Sequence, residues 1–190
     1  MKKVILSTLL MFFSLALVTP TFANENKNPD QVLEDLTQEG EIIYQDEEIT
    51  VTSFGNDPEI AEAISNHPNS VRSFEPNLNN KDVIMPMGAI GSGGWSDITA
   101  GDSGRVVYWS VKPTTLWPYH FEGYVKLRYH SGFKRDAPIS GMGALGSTLS
   151  GTVTMNKNNG GVAYLSGTAY SLTFDKYKVL PGVHVSFRPN

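Results

Sequence analysis

From Tyr119 to His130 the sequence alternates strictly. Tyr119, Phe121, Gly123, Val125, Leu127 and Tyr129 fall on one face of an extended chain, and His120, Glu122, Tyr124, Lys126, Arg128 and His130 on the other. A repeat of two is the period of a β-strand, and an apolar face backed by a polar one calls for a sheet with one side on a core and the other in water. Antiparallel sheets accommodate a wet face, whereas all-parallel sheets bury both. Shorter runs alternate in the same way: Val107, Trp109 and Val111; Leu149, Gly151, Val153 and Met155; Val183, Val185 and Phe187. Turns containing Gly, Asn, Asp or Pro separate them at short intervals. The expected fold is mainly β, an antiparallel β-sandwich or barrel-like domain over residues 86–190. The chain has no cysteine, which excludes disulfide staples, thiolate nucleophiles and thiolate zinc sites, so stability must come from packing.

The amino-terminal residues have a different grammar. Lys2 and Lys3 precede an apolar run from Val4 to Val18, and Thr21-Phe22-Ala23 offers a small-residue exit. This is the pattern of a secretory signal peptide over residues 1–23, cleaved after Ala23. The run is shorter than the roughly 20 residues a membrane span needs, and Pro20 closes it. The mature chain is expected to be secreted and extracellular, without a transmembrane segment, and cysteine-free export suggests a bacterial source.

Residues 24–68 carry helix signals. Asn28-Pro29-Asp30 reads as a cap, a proline in the first turn and an early acid, with Gly40 as a terminator; Asp57-Pro58-Glu59 repeats the start, and His67-Pro68 ends it. Ile49, Val51 and Phe54 between them suggest a strand. The β domain is therefore preceded by a small acidic helix-strand-helix segment, an accessory or pro-segment. Residues 69–85, rich in Asn and poor in apolar side chains, read as a linker open to proteolysis.

Charge divides the chain near Pro86. Residues 24–85 hold fourteen acids and three bases, and residues 86–190 hold ten bases and five acids. An acidic segment tethered to a basic domain tends to lie on it unless a more anionic partner competes, so the segment 24–85 is itself a candidate partner and mask.

Two motifs bear on chemistry. Met87-Gly88-Ala89-Ile90-Gly91-Ser92 returns as Met142-Gly143-Ala144-Leu145-Gly146-Ser147, and each copy is followed by a strand, a polar turn and another strand, suggesting two copies of one hairpin-like unit. The first turn, Gly101-Asp102-Ser103-Gly104, resembles the nucleophile loop of chymotrypsin-like serine proteases over those four residues. That family places a His base and an orienting Asp ahead of its serine. Here His67, between Asn66 and Pro68, is the only mature histidine before Ser103, and Arg105 stands where the family's second Gly belongs. The turn chemistry of Gly, Asp and Ser accounts for the motif. Metal chemistry would draw on His120, Glu122, His130 and His184, but Lys126 and Arg128 on the same face oppose a cation. The basic domain has one Glu and four Asp with no visible pairing, and its Gly-rich run precedes a strand rather than a helix, so neither a glycosidase pair nor a phosphate loop is apparent. No catalytic residue, metal or cofactor is assigned.

What remains is surface. His120, Lys126, Arg128 and His130 continue into Lys134 and Arg135, forming a candidate cationic binding patch for an anionic cell-wall polymer, a membrane surface or an acidic protein. A pI near 5.5 and the lack of a reading motif argue against nucleic acid. Two hydroxyl-rich faces, Thr148, Ser150, Thr152 and Thr154, and Tyr164, Ser166, Thr168 and Tyr170, would suit glycans. Trp95, Trp109 and Trp117 read as core. The sequence thus points to an exported domain that binds an anionic or glycan-bearing envelope or surface partner, toxin-like if the acidic segment masks it; the alternative is a small extracellular hydrolase.

Overall fold

The computed structural model describes residues 28–67, 93–157 and 159–189. The signal segment, the linker and the first copy of the Met-Gly-Ala repeat lie outside the described residues.

Helix α1 (Pro29–Leu36) starts as its sequence dictates, with the Asn28 side chain accepting the Asp30 N–H at 3.3 Å. It stops before Gly40, at Leu36, where the Thr37 hydroxyl donates to the Leu33 carbonyl at 2.6 Å. Strands β1 (Glu41–Gln45) and β2 (Ile49–Gly55) form a hairpin. Its turn is held by the Asp46 carboxylate, which accepts from Glu48 N–H at 2.8 Å and Ile49 N–H at 3.0 Å. Helix α2 (Pro58–Asn66) is capped by Asp57, which accepts from Glu59 and Ile60 N–H at 2.9 and 3.2 Å. Eight further strands follow: β3 (Gly94–Ala100), β4 (Val106–Pro113), β5 (Tyr119–Tyr129), β6 (Lys134–Gly143), β7 (Leu149–Met155), β8 (Asn159–Ser171), β9 (Lys176–Lys178) and β10 (His184–Pro189).

These strands make two antiparallel sheets. The first runs β1-β2-β7-β4-β3, the second β10-β8-β5-β6, with β9 also paired to β8. The sheets do not close into a barrel, so of the two architectures expected the sandwich is the one adopted. Their facing sides bury Ile49, Val51, Ile98, Val107, Trp109, Phe121, Val125, Leu127, Val153 and Phe187 in one core. Trp109 is fully buried, its ring 6.2 Å from that of Phe121, and it lies on Gly151, where any Cβ would stand 2.5 Å from the indole.

The outer side of the first sheet is covered by α1 and α2. Leu33, Ile60, Ile64 and Tyr108 form a second apolar cluster there, giving three layers: helices, first sheet, second sheet. This roof buries Ser150 and Thr152 of β7, so the hydroxyl row expected to be an open surface is mostly an internal packing face. The sandwich also takes in residues 41–55, ahead of the point near Pro86 where the charge changes sign. Ile49 and Val51 are as fully buried as any residue of the core, while Glu41 and Glu47 remain at exposed positions. The acids of the segment are a coat on residues whose apolar partners face inward.

The turns after the two repeat copies differ in kind. Gly101–Gly104 joins β3 to β4, neighbours in one sheet, whereas the connection from β7 to β8 crosses between sheets.

Candidate functional site

Strand β5 is the middle of the site. Its inward residues fill the core, and its outward residues, His120, Glu122, Tyr124, Lys126 and Arg128, meet partners fixed by register on both sides. On the β6 side these are Met142, Ser140, Pro138, Asp136 and Lys134 in turn; on the β8 side they are Tyr170, Thr168, Ser166, Tyr164 and Val162. The cationic strand and the Tyr/Ser/Thr run of β8, separate features of the sequence, are thus one continuous face. β10 extends it with His184 beside Tyr164, and β9 with Lys176 beside Tyr170 and Lys178 beside Thr168.

Three tyrosines stand open on this face: Tyr124 at 49% exposure, and Tyr164 and Tyr170 at 40% each. Two of the rings lean on a neighbour. Tyr164 stacks on His184 with ring centres 5.3 Å apart, and Lys176 Nζ lies 5.7 Å from the centre of the Tyr170 ring. The Ser166 hydroxyl donates to the Tyr124 carbonyl at 3.3 Å. The first two contacts hold the Tyr164 and Tyr170 rings on the face, and the third braces the strands beneath Tyr124.

The cationic residues divide by their partners. Arg128 Nη1 donates to Asp136 Oδ1 at 2.6 Å and to the carbonyls of Leu127 and Arg135 at 2.9 and 3.2 Å, so its guanidinium is fixed against the strands. His120 Nε2 lies 3.0 Å from Glu122 Oε1. Among the described residues, Lys126, Lys134, Lys176 and Lys178 form no ion pair. Lys134 sits directly across from Arg128, a like-charge pairing eased by the Arg128–Asp136 ion pair. His130 is exposed in the turn after β5, its N–H donating to the Gly160 carbonyl at 2.9 Å.

Arg135 departs from the patch. It pairs with Leu127, on the inward parity of β6, and its guanidinium binds Asp46 and donates to Tyr44 Oη at 3.0 Å. It ties the edges of the two sheets together. Reading the basic run 126–135 as one surface overlooks that neighbours on a strand point to opposite sides. Lys176 and Lys178, which do reach the face, leave little mark in the sequence because β9 is three residues long, while His184, in the alternating run of β10, reaches the same face beside Tyr164. At the same edge, between the sheets, is a cavity of about 290 Å³ lined by Trp95, Lys112, Phe121, Lys176, Tyr177 and Lys178.

The protease-like loop has a different environment. His67 Nδ1 lies 3.2 Å from Thr99 Oγ1 and Nε2 3.3 Å from Asp30 Oδ2, while Ser103 Oγ accepts from Arg105 N–H at 3.2 Å. The histidine side chain is only 1% exposed, out of reach of an external substrate. Asp102 N–H donates to Asp30 Oδ1 at 2.9 Å. Hydrogen bonding to Asp30 and that residue's charge raise the Asp102 carboxyl above its ordinary range. This cluster joins the start of α1, the end of α2, and β3: it is a clasp for the helical layer. His184 lies in the row of Tyr164 and Lys126, three rows from His120, and among the described residues no group of three or more metal-ligating side chains forms.

No family model matches the chain, and no curated protein matches it significantly. Among the described residues no helix is long and apolar enough to cross a membrane.

Proposed function

We propose that the chain is an exported, non-enzymatic binding module whose outer second-sheet face holds an anionic glycan polymer of a cell envelope or surface. The observation that carries this reading is the register between β5 and β8, which sets Lys126 beside Tyr164 and Tyr124 beside Ser166 on one open face. Tyrosine rings offer flat apolar area to sugar rings, hydroxyls offer hydrogen bonds, and unpaired lysines offer charge to carboxylate or phosphate groups along the polymer. A flat face read by stacking and charge suits a repeating chain better than a small molecule, which a concave pocket would enclose.

The test is affinity chromatography of the chain from Asn24 onward on an immobilised acidic polysaccharide and on the same polymer with its carboxyl groups reduced. Retention is expected on the acidic polymer and lost at high salt. Tyr164→Ala together with Lys126→Ala should weaken binding by about 1–3 kcal/mol, by loss of one aromatic contact and one charge. Equal retention of parent and variant, or retention indifferent to salt, defeats the proposal.

A further inference from the structure

A second surface lies at one end of the sandwich. Tyr119, the first residue of β5, is in register with Gly143 at the end of β6 and Ser171 at the end of β8. The connections that leave there, 114–118, 144–148 and 172–175, are therefore neighbours, and Leu172 N–H donates to the Pro118 carbonyl at 3.1 Å. All three carry large apolar side chains into solvent: Leu116 at 80% exposure, Trp117, Leu145, Leu172, and Phe174 at 92%. Isolated exposed apolar residues are commonplace; five on adjacent loop tips are not.

Phe174 is held out deliberately. Its φ is +65°, and among the described residues it is the only non-glycine with positive φ. A bulky side chain is rarely found in that region. The turn enforces it through its own hydrogen bonds: Phe174 N–H to Ser171 O at 3.0 Å, Asp175 N–H to Ser171 Oγ at 3.2 Å, and Thr173 Oγ1 to Asp175 Oδ2 at 2.7 Å. A strained backbone that presents a phenyl ring to water gives the free protein no packing in return, which points to a role for the ring in contact with something outside the chain.

From this end we infer that the protein inserts Leu116, Trp117 and Phe174 into the interface of an anionic lipid bilayer. Three observations favour lipid over a protein partner. The groups stand on separate loop tips, a shape that suits a fluid interior. Several polar groups of the loops are already paired within the fold, which lessens the cost of approaching hydrocarbon: besides the bonds above, Thr114 N–H donates to Gly93 O at 3.0 Å, Trp117 N–H to Thr115 Oγ1 at 3.0 Å, and Ser147 N–H to Ala144 O at 3.1 Å. The charges are placed for headgroups: Lys176 follows the third loop, and Lys112 lies in β4 just before Pro113 and the first loop, while Asp175 is the one acid in the three loops. Trp and Phe with lysines behind them match the interfacial zone of a membrane. This end adjoins the glycan face at Lys176, which serves both, but its apolar loop tips lie outside that face, so vesicle partitioning and polymer retention are read independently.

The test uses the chain from Asn24 onward, which keeps every described residue and omits the apolar run Val4–Val18, with vesicles of equal parts phosphatidylcholine and phosphatidylglycerol. The protein should sediment with the vesicles, and its tryptophan emission should shift to the blue and be quenched by lipids brominated near the headgroup. Trp117→Phe should abolish the shift while preserving sedimentation. The triple variant Leu116→Ser, Trp117→Ser, Phe174→Ser should lower partitioning on the order of tenfold or more. Phe174→Gly should weaken partitioning while raising the unfolding temperature, because glycine accepts the positive φ, so weaker binding cannot be laid to a damaged fold. Undiminished partitioning of the triple variant, a blue shift that survives Trp117→Phe, or dimerisation through these loops with no vesicle binding would each overturn the inference.

Discussion

Buried phenols make this fold sensitive to alkali, Tyr108 among them and two others most of all. Tyr119 and Tyr129 lie at the two ends of β5, and burial, the main cause at both, raises each hydroxyl to about 12. A phenol raised in the folded state stabilises fully below its ordinary pKa of 10.0 and loses that contribution as pH climbs through the folded value. Denaturant melts are therefore expected to show stability level up to pH 10 and falling steeply between 10 and 12. Tyr129→Phe should shallow that fall, since no ionisation then has to occur within the core. An identical alkaline slope in that variant would remove Tyr129 from the account. At this scale the sequence is readable where a residue sits in a long alternating run: every inward residue of β5 was apparent from periodicity. It is unreadable where the partner is remote in sequence. Nothing near Arg135 announces Asp46, and Trp117 looks like core only until the loop that carries it is seen to turn outward.

Among the elements, β2 has the widest consequences. It lies between β1 and β7, and with β1 it supplies the edge of the first sheet from the acidic half of the chain. Residues 86–190 alone would leave β7 with an open edge and remove Ile49 and Val51 from the core. That fragment is expected to aggregate or to melt without a cooperative transition in circular dichroism, whereas the chain from Asn24 melts cooperatively. A fragment as stable as the longer chain would mean that the first sheet is dispensable up to β7. Both helices were legible because proline and acid follow a capping Asn or Asp. β1 was not: Glu41, Ile42, Ile43, Tyr44 and Gln45 place two apolar residues in succession, and a register shift between Ile42 and Tyr44 breaks the alternation that would have marked a strand. The alternation of β7 marks it as a strand, but nothing in the sequence tells which way its second face looks, because Ser and Thr under a helical roof look like Ser and Thr in water.

At the scale of the molecule, charge is sorted by layer. All charged side chains of residues 28–67 are acidic, and their helices roof the first sheet, while the lysines of β5, β6 and β9 face outward from the second. Composition revealed the two populations; only the layering puts them on opposite sides, with the described acidic helices away from the β5 face. Capture of an anionic polymer should accordingly be fast at low ionic strength and slow as salt is added, and Lys126→Glu with Lys134→Glu should flatten that dependence in stopped-flow association. A rate unaffected by either change would detach steering from this face. The same layering governs how copies meet each other. A negative roof and a positive floor are complementary but cannot pair symmetrically, so contact between two copies leaves one roof and one floor still open. Association of this kind runs head to tail, closing into a ring or growing into a stack according to the rotation at the contact, and added salt weakens it by screening both layers.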